Sequence, residues 1–190
     1  MCLTKTTLWQ IHFAAHVLRM GGVIAQPTEA VWGLTCDPFN PRAVERLLAI
    51  KQRPVEKGLI LVSGQAAHFH SLLSPLSESL SARFFQQNAY PTTWLVPDEQ
   101  DLVPAYIKGQ HASVALRLTD YAVLAELSRI FGGPLVSSSA NPAGRAPANS
   151  LFRVNQYFKG KIDFVLPAAL GKYSAPSEIR DLVTNDVLRA

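Results

Sequence analysis

Residues 134–144 read Pro-Leu-Val-Ser-Ser-Ser-Ala-Asn-Pro-Ala-Gly, an apolar run of strand character that ends in three serines, Asn141 and a Pro/Gly turn. Hydroxyls, a side-chain amide and free backbone N–H groups at the carboxyl end of a strand can converge on phosphate oxygens, and open α/β sheets place ligands at such ends. An ordinary serine-rich turn has the same composition, so the phosphate reading depends on what the rest of the chain offers.

Four other clusters bear on it. In Lys51-Gln52-Arg53-Pro54 the proline forces its predecessor out of the α region, ending a helix and leaving two cations at one turn. They suit an anionic ligand, or equally the negative end of a helix macrodipole. Gln26-Pro27-Thr28-Glu29 leaves a strand and turns, which exposes a hydroxyl and a carboxylate or makes a plain turn with a hydrogen-bonded threonine. Arg117 ends the apolar run Val114-Ala115-Leu116, where a charge requires a partner, so it implies a function or a buried salt bridge. Pro176-Ser177-Glu178-Ile179-Arg180-Asp181 starts a strand with a serine, and a solvated edge strand is its simplest reading.

Composition narrows the chemistry. The chain has 190 residues, 48% hydrophobic against 17% charged, enough apolar material for one sizeable core and too much for disorder. Apolar runs such as Leu59 to Val62 fall far short of the ~20 residues that span a bilayer, and the N-terminus resembles no secretory signal, so a cytoplasmic location with no membrane partner is expected. Two cysteines, Cys2 and Cys36, are too few for a disulfide framework, and Cys36 reads as a small buried hydrophobe. The five histidines, His12, His16, His68, His70 and His111, lie outside every cluster with no metal-ligand spacing. The patterns of a hydrolase elbow, a dinucleotide fingerprint and a P-loop are all absent. A net charge of +4 permits an anionic ligand and permits nucleic acid without requiring it.

The elements that must position these residues follow from periodicity and caps. Leu8, Ile11, Ala15 and Leu18 predict a helix over Thr7 to Met20, stopped by Gly21-Gly22 before a strand at Val23 to Gln26. Asn40-Pro41 caps a second helix facing the core with Val44, Leu47 and Leu48. Ser74-Pro75 is expected to cap a third through Phe84, and further helices are expected over Asp120 to Phe131 and Ser150 to Phe158. Strands are expected at Leu59 to Val62, Thr92 to Val96, Ser113 to Leu118, Leu135 to Ser137, Ile162 to Leu166, Ile179 to Thr184 and Val187 to Arg189. Trp9, Trp32 and Trp94 read as core. Because strands both alternate with helices and follow one another directly, the expected fold is α/β: one domain over residues 1–190, a twisted open mixed sheet flanked by helices.

Taken together, Pro27-Thr28-Glu29 with Gly33-Leu34, Lys51-x-Arg53-Pro54, Arg117 after its strand, Ser139-Ala140-Asn141 with Gly144, and Pro176-Ser177-Glu178-Ile179 resemble the YrdC family in order and spacing. The resemblance runs from about Val23 to Asp181 and is nearest to the family's short, single-domain bacterial threonylcarbamoyl-AMP synthases. It implies a deep basic concave cavity and an enzyme, a nucleotidyltransferase, that joins L-threonine, bicarbonate and ATP into threonylcarbamoyl-adenylate and pyrophosphate, the first step of t6A formation at tRNA position 37. Lys51 and Arg53 match the catalytic cations. With Ser139 and Asn141 they match the set around the ATP phosphates, and Thr93 is the surviving threonine of the segment Ala89-Tyr90-Pro91-Thr92-Thr93, where the family has Pro-Gly-Pro-x-Thr. Thr28, Arg117 and Ser177 match the threonine and carbamate side. Ala143 stands where the family often has serine, and Lys57-Gly58-Leu59 is followed by no histidine, so that family contact is not carried over.

The chemistry fits these residue types, since a carbamate oxygen attacking the α-phosphorus needs positioning and charge neutralisation and no protein nucleophile. Mg²⁺ is expected to arrive with ATP, no dedicated protein metal site being visible. Expected partners are the three substrates, downstream t6A-synthesis proteins, and tRNA or other RNA held electrostatically. The alternative is an RNA-binding or ribosome-maturation factor that grips phosphates in the same cavity without catalysis; a third reading is a regulatory domain of a carbamoyl-transfer enzyme. Arg19, outside every motif, is expected to be a bystander.

Overall fold

Neighbouring residues on the central strands pack into different cores, which is what places helices on both faces of the sheet. Leu61, Val136 and Ala25 join one apolar cluster, while Val62, Leu135 and Ile24 join the other, the period-2 alternation of a strand buried on both sides. The structure is a computed structural model that describes residues 7–189. Its strands are β1 (Ile24–Pro27), β2 (Trp32–Thr35), β3 (Ile60–Ser63), β4 (Thr92–Pro97), β5 (Ser113–Leu118), β6 (Leu135–Ser139), β7 (Phe164–Val165), β8 (Glu178–Asp181) and β9 (Val187–Arg189). They form an open sheet in the order β7-β1-β2-β6-β3-β5-β4-β8-β9. Parallel pairs (β1 with β7, β3 with β5, β4 with β8) mix with antiparallel ones, as the interleaved sequence pattern requires.

The helices are α1 (Leu8–Arg19), α2 (Pro41–Lys51), α3 (His70–Leu73), α4 (Glu78–Phe84), α5 (Ala105–Lys108), α6 (Ala122–Phe131) and α7 (Leu151–Phe158). Helix α1 starts where its sequence says it should: Thr7 Oγ1 accepts from Gln10 N–H and Gln10 reaches back to Thr7 N–H, a reciprocal capping box. Ile11 and Leu18 of α1 meet Leu124 and Leu127 of α6 on one face, and Val44, Leu47, Val154 and Phe158 of α2 and α7 line the other.

The structure departs from the sequence reading in several places. Strand β2 lies where only a turn and an apolar run were expected; four residues are too few to show a period, and Thr28–Val31 closes a hairpin instead. Helix α4 is capped by Ser77, whose Oγ accepts from Leu80 N–H, and not by Ser74-Pro75. The segment before it folds separately, with the short α3 ending at Leu73. Trp32 and Trp94 are core, but Trp9 is 69% exposed and stacks on Phe13 at 5.5 Å. Arg19 is no bystander: its Nη2 donates to the carbonyls of Ile130 and Phe131, tying α1 to the end of α6. Cys36 is buried, with burial pushing its thiol well up, Asp37 adding to the effect; Cys2 lies outside the described residues.

Candidate active site

The β1–β2 hairpin builds one wall. Thr28 N–H and Oγ1–H both donate to Val31 O, at 3.0 and 2.8 Å, closing the turn. Of the two readings of this turn, the structure shows the hydrogen-bonded threonine, and Thr28 and Glu29 are both buried and not exposed. Part of the cover is a strap, residues 167–177, whose Gly171 N–H donates to Thr28 O and whose Tyr173 N–H donates to Glu29 O. A side chain at Gly171 would displace the backbone here, because a Cβ would lie 2.5 Å from Glu29 O. Tyr173 also packs against Tyr90 with ring centroids 5.6 Å apart, and Tyr90 takes no left-handed backbone, so the aromatic ring fills space where the family pattern has glycine.

Glu29 and Arg117 are the charges at the bottom of this wall. Glu29 Oε1 accepts from Thr119 Oγ1 at 2.5 Å, and Oε2 stands 3.5 Å from Arg117 Nη2. Arg117 makes one long bond to Ser137 Oγ, 3.3 Å, and its Nε has no partner. A guanidinium carries five donors, so a buried arginine this poorly satisfied holds donors in reserve for an anion. Of the two readings that its strand position allowed, the structure shows the buried salt bridge, to Glu29, on a residue that also lines the cleft.

Helix α2 delivers the two cations and sends them apart. Gln52 closes the helix in the left-handed conformation, φ 52°, with Arg53 N–H returning to Leu48 O and Gln52 N–H to Ala49 O, the paired bonds of a Schellman motif. The stop thus comes at Gln52, ahead of Pro54. Lys51 turns inward, and its Nζ donates to the carbonyls of Ser139 and Asn141, the latter at 3.0 Å. Burial first, and then the neighbouring Arg53, hold its pKa down to about 7. Arg53 instead donates to Lys57 O and Gly58 O and faces the cleft.

The loop after β6 is braced from within. Ser139 Oγ donates to Asn141 Oδ1 at 2.6 Å, Asn141 Nδ2 donates to Arg145 O at 2.8 Å, and Ala143 N–H donates to Lys51 O. Across the cleft, Ser177 Oγ shares a hydrogen bond of 2.8 Å with Thr93 Oγ1, which is fully buried behind it.

These parts enclose a cleft of about 200 Å³ whose lining includes Thr28, Glu29, Arg53, Arg117, Ser139 and Ser177, together with Arg189. Five of the eight residues singled out from sequence thus meet on one cavity. The other three stand one contact behind it: Lys51 and Asn141 act on Ser139, and Thr93 acts on Ser177. Arg189 is the residue that sequence reasoning missed. It ends a short, exposed-looking strand with no local signal, and the register that pairs Ile179 with Arg189 brings it round so that its Nη2 donates to Ser177 O. Glu29 was legible as a carboxylate on a turn but not as a member of the site.

Electrostatically the three arginines press on one another. Burial and then Arg189 lower the pKa of Arg53, and burial and then Arg117 lower that of Arg189. Guanidinium groups remain charged through such shifts, so the mutual repulsion and desolvation are relieved when an anion enters. Among the described residues no group of three or more His, Cys, Asp or Glu is placed to hold a metal ion, and no helix is long and apolar enough to cross a membrane.

Comparison with known proteins matches this arrangement to a lineage. A threonylcarbamoyl-AMP synthase of Pseudomonas savastanoi pv. phaseolicola is 51% identical over 182 residues, covering 96% of this chain and 97% of the relative. One from Cellvibrio japonicus is 48% identical over 180 residues, covering 95% of each. Among solved structures, P. abyssi Sua5 complexed with L-threonine superposes with a TM-score of 0.81 at 28% identity; the match takes in 91% of this chain and 51% of the Sua5 chain, so this chain spans about half of that protein. The family profile Sua5/YciO/YrdC, described as "Telomere recombination", matches residues 16–190, and by that match and the synthase relatives the chain belongs to the Sua5/YciO/YrdC family.

Proposed function

We propose that this chain catalyses the threonylcarbamoyl-AMP synthase reaction: L-threonine, bicarbonate and ATP yield threonylcarbamoyl-adenylate and pyrophosphate. The observation that carries the reading is the convergence of Arg53, Arg117 and Arg189 on one cleft that holds, among the described residues, a single side-chain carboxylate, in a chain half identical to synthases over nearly its whole length. Guanidinium groups favour bidentate contacts with phosphate and carboxylate. In this reading the cleft is basic, Arg53 and Arg189 take the nucleotide phosphates, and Ser139 adds a hydroxyl at the end of β6. Arg117, Thr28 and Ser177 serve the amino acid and its carbamate. Lys51, Asn141 and Thr93 hold the phosphate loop and Ser177 in place.

The chemistry is then positioning and charge neutralisation. The carbamate oxygen forms a bond to the α-phosphorus as the bond to the pyrophosphate oxygen breaks, and fixed cations stabilise the charge that moves onto the leaving group. Mg²⁺ enters as part of the ATP substrate complex. The adenylate is consumed by downstream t6A-synthesis proteins acting on tRNA, which sets the work in the cytoplasm. The names of the relatives favour this reading over an RNA-binding factor without catalysis. The experiment is pyrophosphate release by the purified full chain with ATP, Mg²⁺, threonine and bicarbonate. Release is expected only when both threonine and bicarbonate are present, and equal release without threonine overturns the reading.

A further inference from the structure

Among the described residues, the buried polar atom at the cleft that the phosphate and carboxylate roles leave unused is Glu29 Oε2. Glu29 is 5% exposed, lines both the cleft and the larger depression beside it, and among the described residues is the only acidic side chain in the cleft lining. Its two oxygens are treated differently. Oε1 is locked by the Thr119 hydroxyl at 2.5 Å, and Thr119 is itself fixed by Tyr121 N–H at 3.1 Å. Oε2 accepts no hydrogen bond and has only the ion-pair contact to Arg117 at 3.5 Å. A buried carboxylate oxygen left without a donor is costly, so it marks a place where a donor from outside fits.

We propose that Glu29 Oε2 binds the ammonium group of the amino-acid substrate and takes its proton. The proposal rests on the synthase reading and supplies a step which that reading needs. At neutral pH an amino acid enters with its nitrogen as ammonium, which has no lone pair and cannot attack carbon. A cleft of three arginines repels that ammonium; one carboxylate beside Arg117 lets a zwitterion bind with its carboxylate on the guanidinium and its ammonium on Glu29. The N–H proton passes to Oε2, leaving a neutral carboxylic acid and a free amine. The amine lone pair then forms the N–C bond to bicarbonate and water leaves, giving the carbamate with charge and atoms balanced. Neutralising Glu29 also frees Arg117 from its ion pair at the moment a new anion forms next to it. The proton on Glu29 returns to solvent on product release.

The test is the pH profile of kcat/KM for threonine in pyrophosphate release, from pH 6.5 to 9.5, for the wild-type chain, Glu29→Gln and Glu29→Asp, with thermal melting and ATP binding measured alongside. Glu29→Gln keeps the shape and loses the base; it is expected to fall about 100-fold near pH 7, the lower end of what a positioned base contributes. Its rate should climb with the fraction of threonine already deprotonated in solution, while ATP binding stays at the wild-type level. Glu29→Asp, a base set back by one methylene, should be slower but keep the wild-type profile. If Glu29 only positions Arg117, the Gln variant runs parallel to wild type at every pH, and that result overturns the proposal. Should Glu29→Gln fail to fold, the Asp variant decides: a profile that climbs like free amine, unlike wild type, also overturns it. Wild-type release that does not depend on threonine defeats the synthase reading itself, a different failure from a parallel Gln profile.

Discussion

Lys51 and Arg53, two residues apart, serve different loops: Lys51 Nζ bonds the carbonyls of Ser139 and Asn141 at the end of β6, and the Arg53 guanidinium bonds those of Lys57 and Gly58. The left-handed Gln52 between them sends one cation under the cleft and the other to its wall. Two neighbouring basic residues in sequence are therefore one brace and one cleft-facing group.

This division separates the effects of removing them. Lys51→Ala takes the side-chain donor from two loop carbonyls and leaves them without it, which should cost about 1–3 kcal/mol of stability, with activity lost as the loop loosens. Arg53→Ala should leave stability much closer to wild type and lower the rate by about 10²- to 10³-fold, the scale of one removed transition-state donor. The control is Arg42→Ala, on the exposed side of α2. Arg19→Ala is unsuitable, since Arg19 joins α1 to α6; it should lower the melting temperature and leave kcat alone. Urea unfolding and pyrophosphate assays on the four variants check this, and equal rates for Arg53→Ala and Arg42→Ala would remove Arg53 from the site.

Lys51 also predicts a pH dependence. Its pKa falls to about 7 in the fold from 10.5, mainly by burial. Between those values the unfolded chain holds the proton and the folded chain does not, so stability rises with pH across the window. Below about pH 7 both states are protonated and the contribution is gone. Lys51→Met removes the titration, and the stability of wild type relative to this variant should grow from pH 7 to pH 9.5. A flat difference over that range would mean the two carbonyls keep Lys51 charged.

Gln52 holds φ 52° without being glycine. A side chain there costs roughly 1–2 kcal/mol against the following carbonyl, partly offset by the greater chain entropy that glycine loses. Gln52→Gly should stabilise the protein by about 0.5–1 kcal/mol with activity unchanged, read from the urea midpoint. A loss of stability would show that the Gln52 side chain contributes more than its backbone strain.

Gly171→Ala tests the strap. The added Cβ would meet Glu29 O at 2.5 Å, and backbone must move to admit it, at a cost of about 1–3 kcal/mol if the packing were to yield as a whole. The strap is the freer partner, so global stability should change little. Cleavage within residues 167–177 by a nonspecific protease should quicken, and threonine-dependent turnover should fall. Unchanged proteolysis and turnover would mean that the strap does not shape the cleft.

Sequence alone determined the elements whose signals are local. Thr7 with Gln10, and Asn40 with Pro41, announce helix starts because caps act within four residues. The apolar runs of β3 and β5 announce buried strands, and the motif set from Pro27 to Ile179 carried the family. Tertiary structure decided which polar residues face the cleft and which stand behind it. Nothing near Lys51 says that its ammonium will meet Ser139 O, 88 positions away, and nothing near Arg189 says that a strand register will set it against Ser177. Strand β2 was hidden for the same reason: its four residues are held by β1 on one side and by β6, over a hundred positions later, on the other. Periodicity and caps report which face of an element is apolar. What lies across that face is set by pairing and packing between segments distant in sequence, and so the site, unlike the helices, exists only once the sheet has closed the order of its strands.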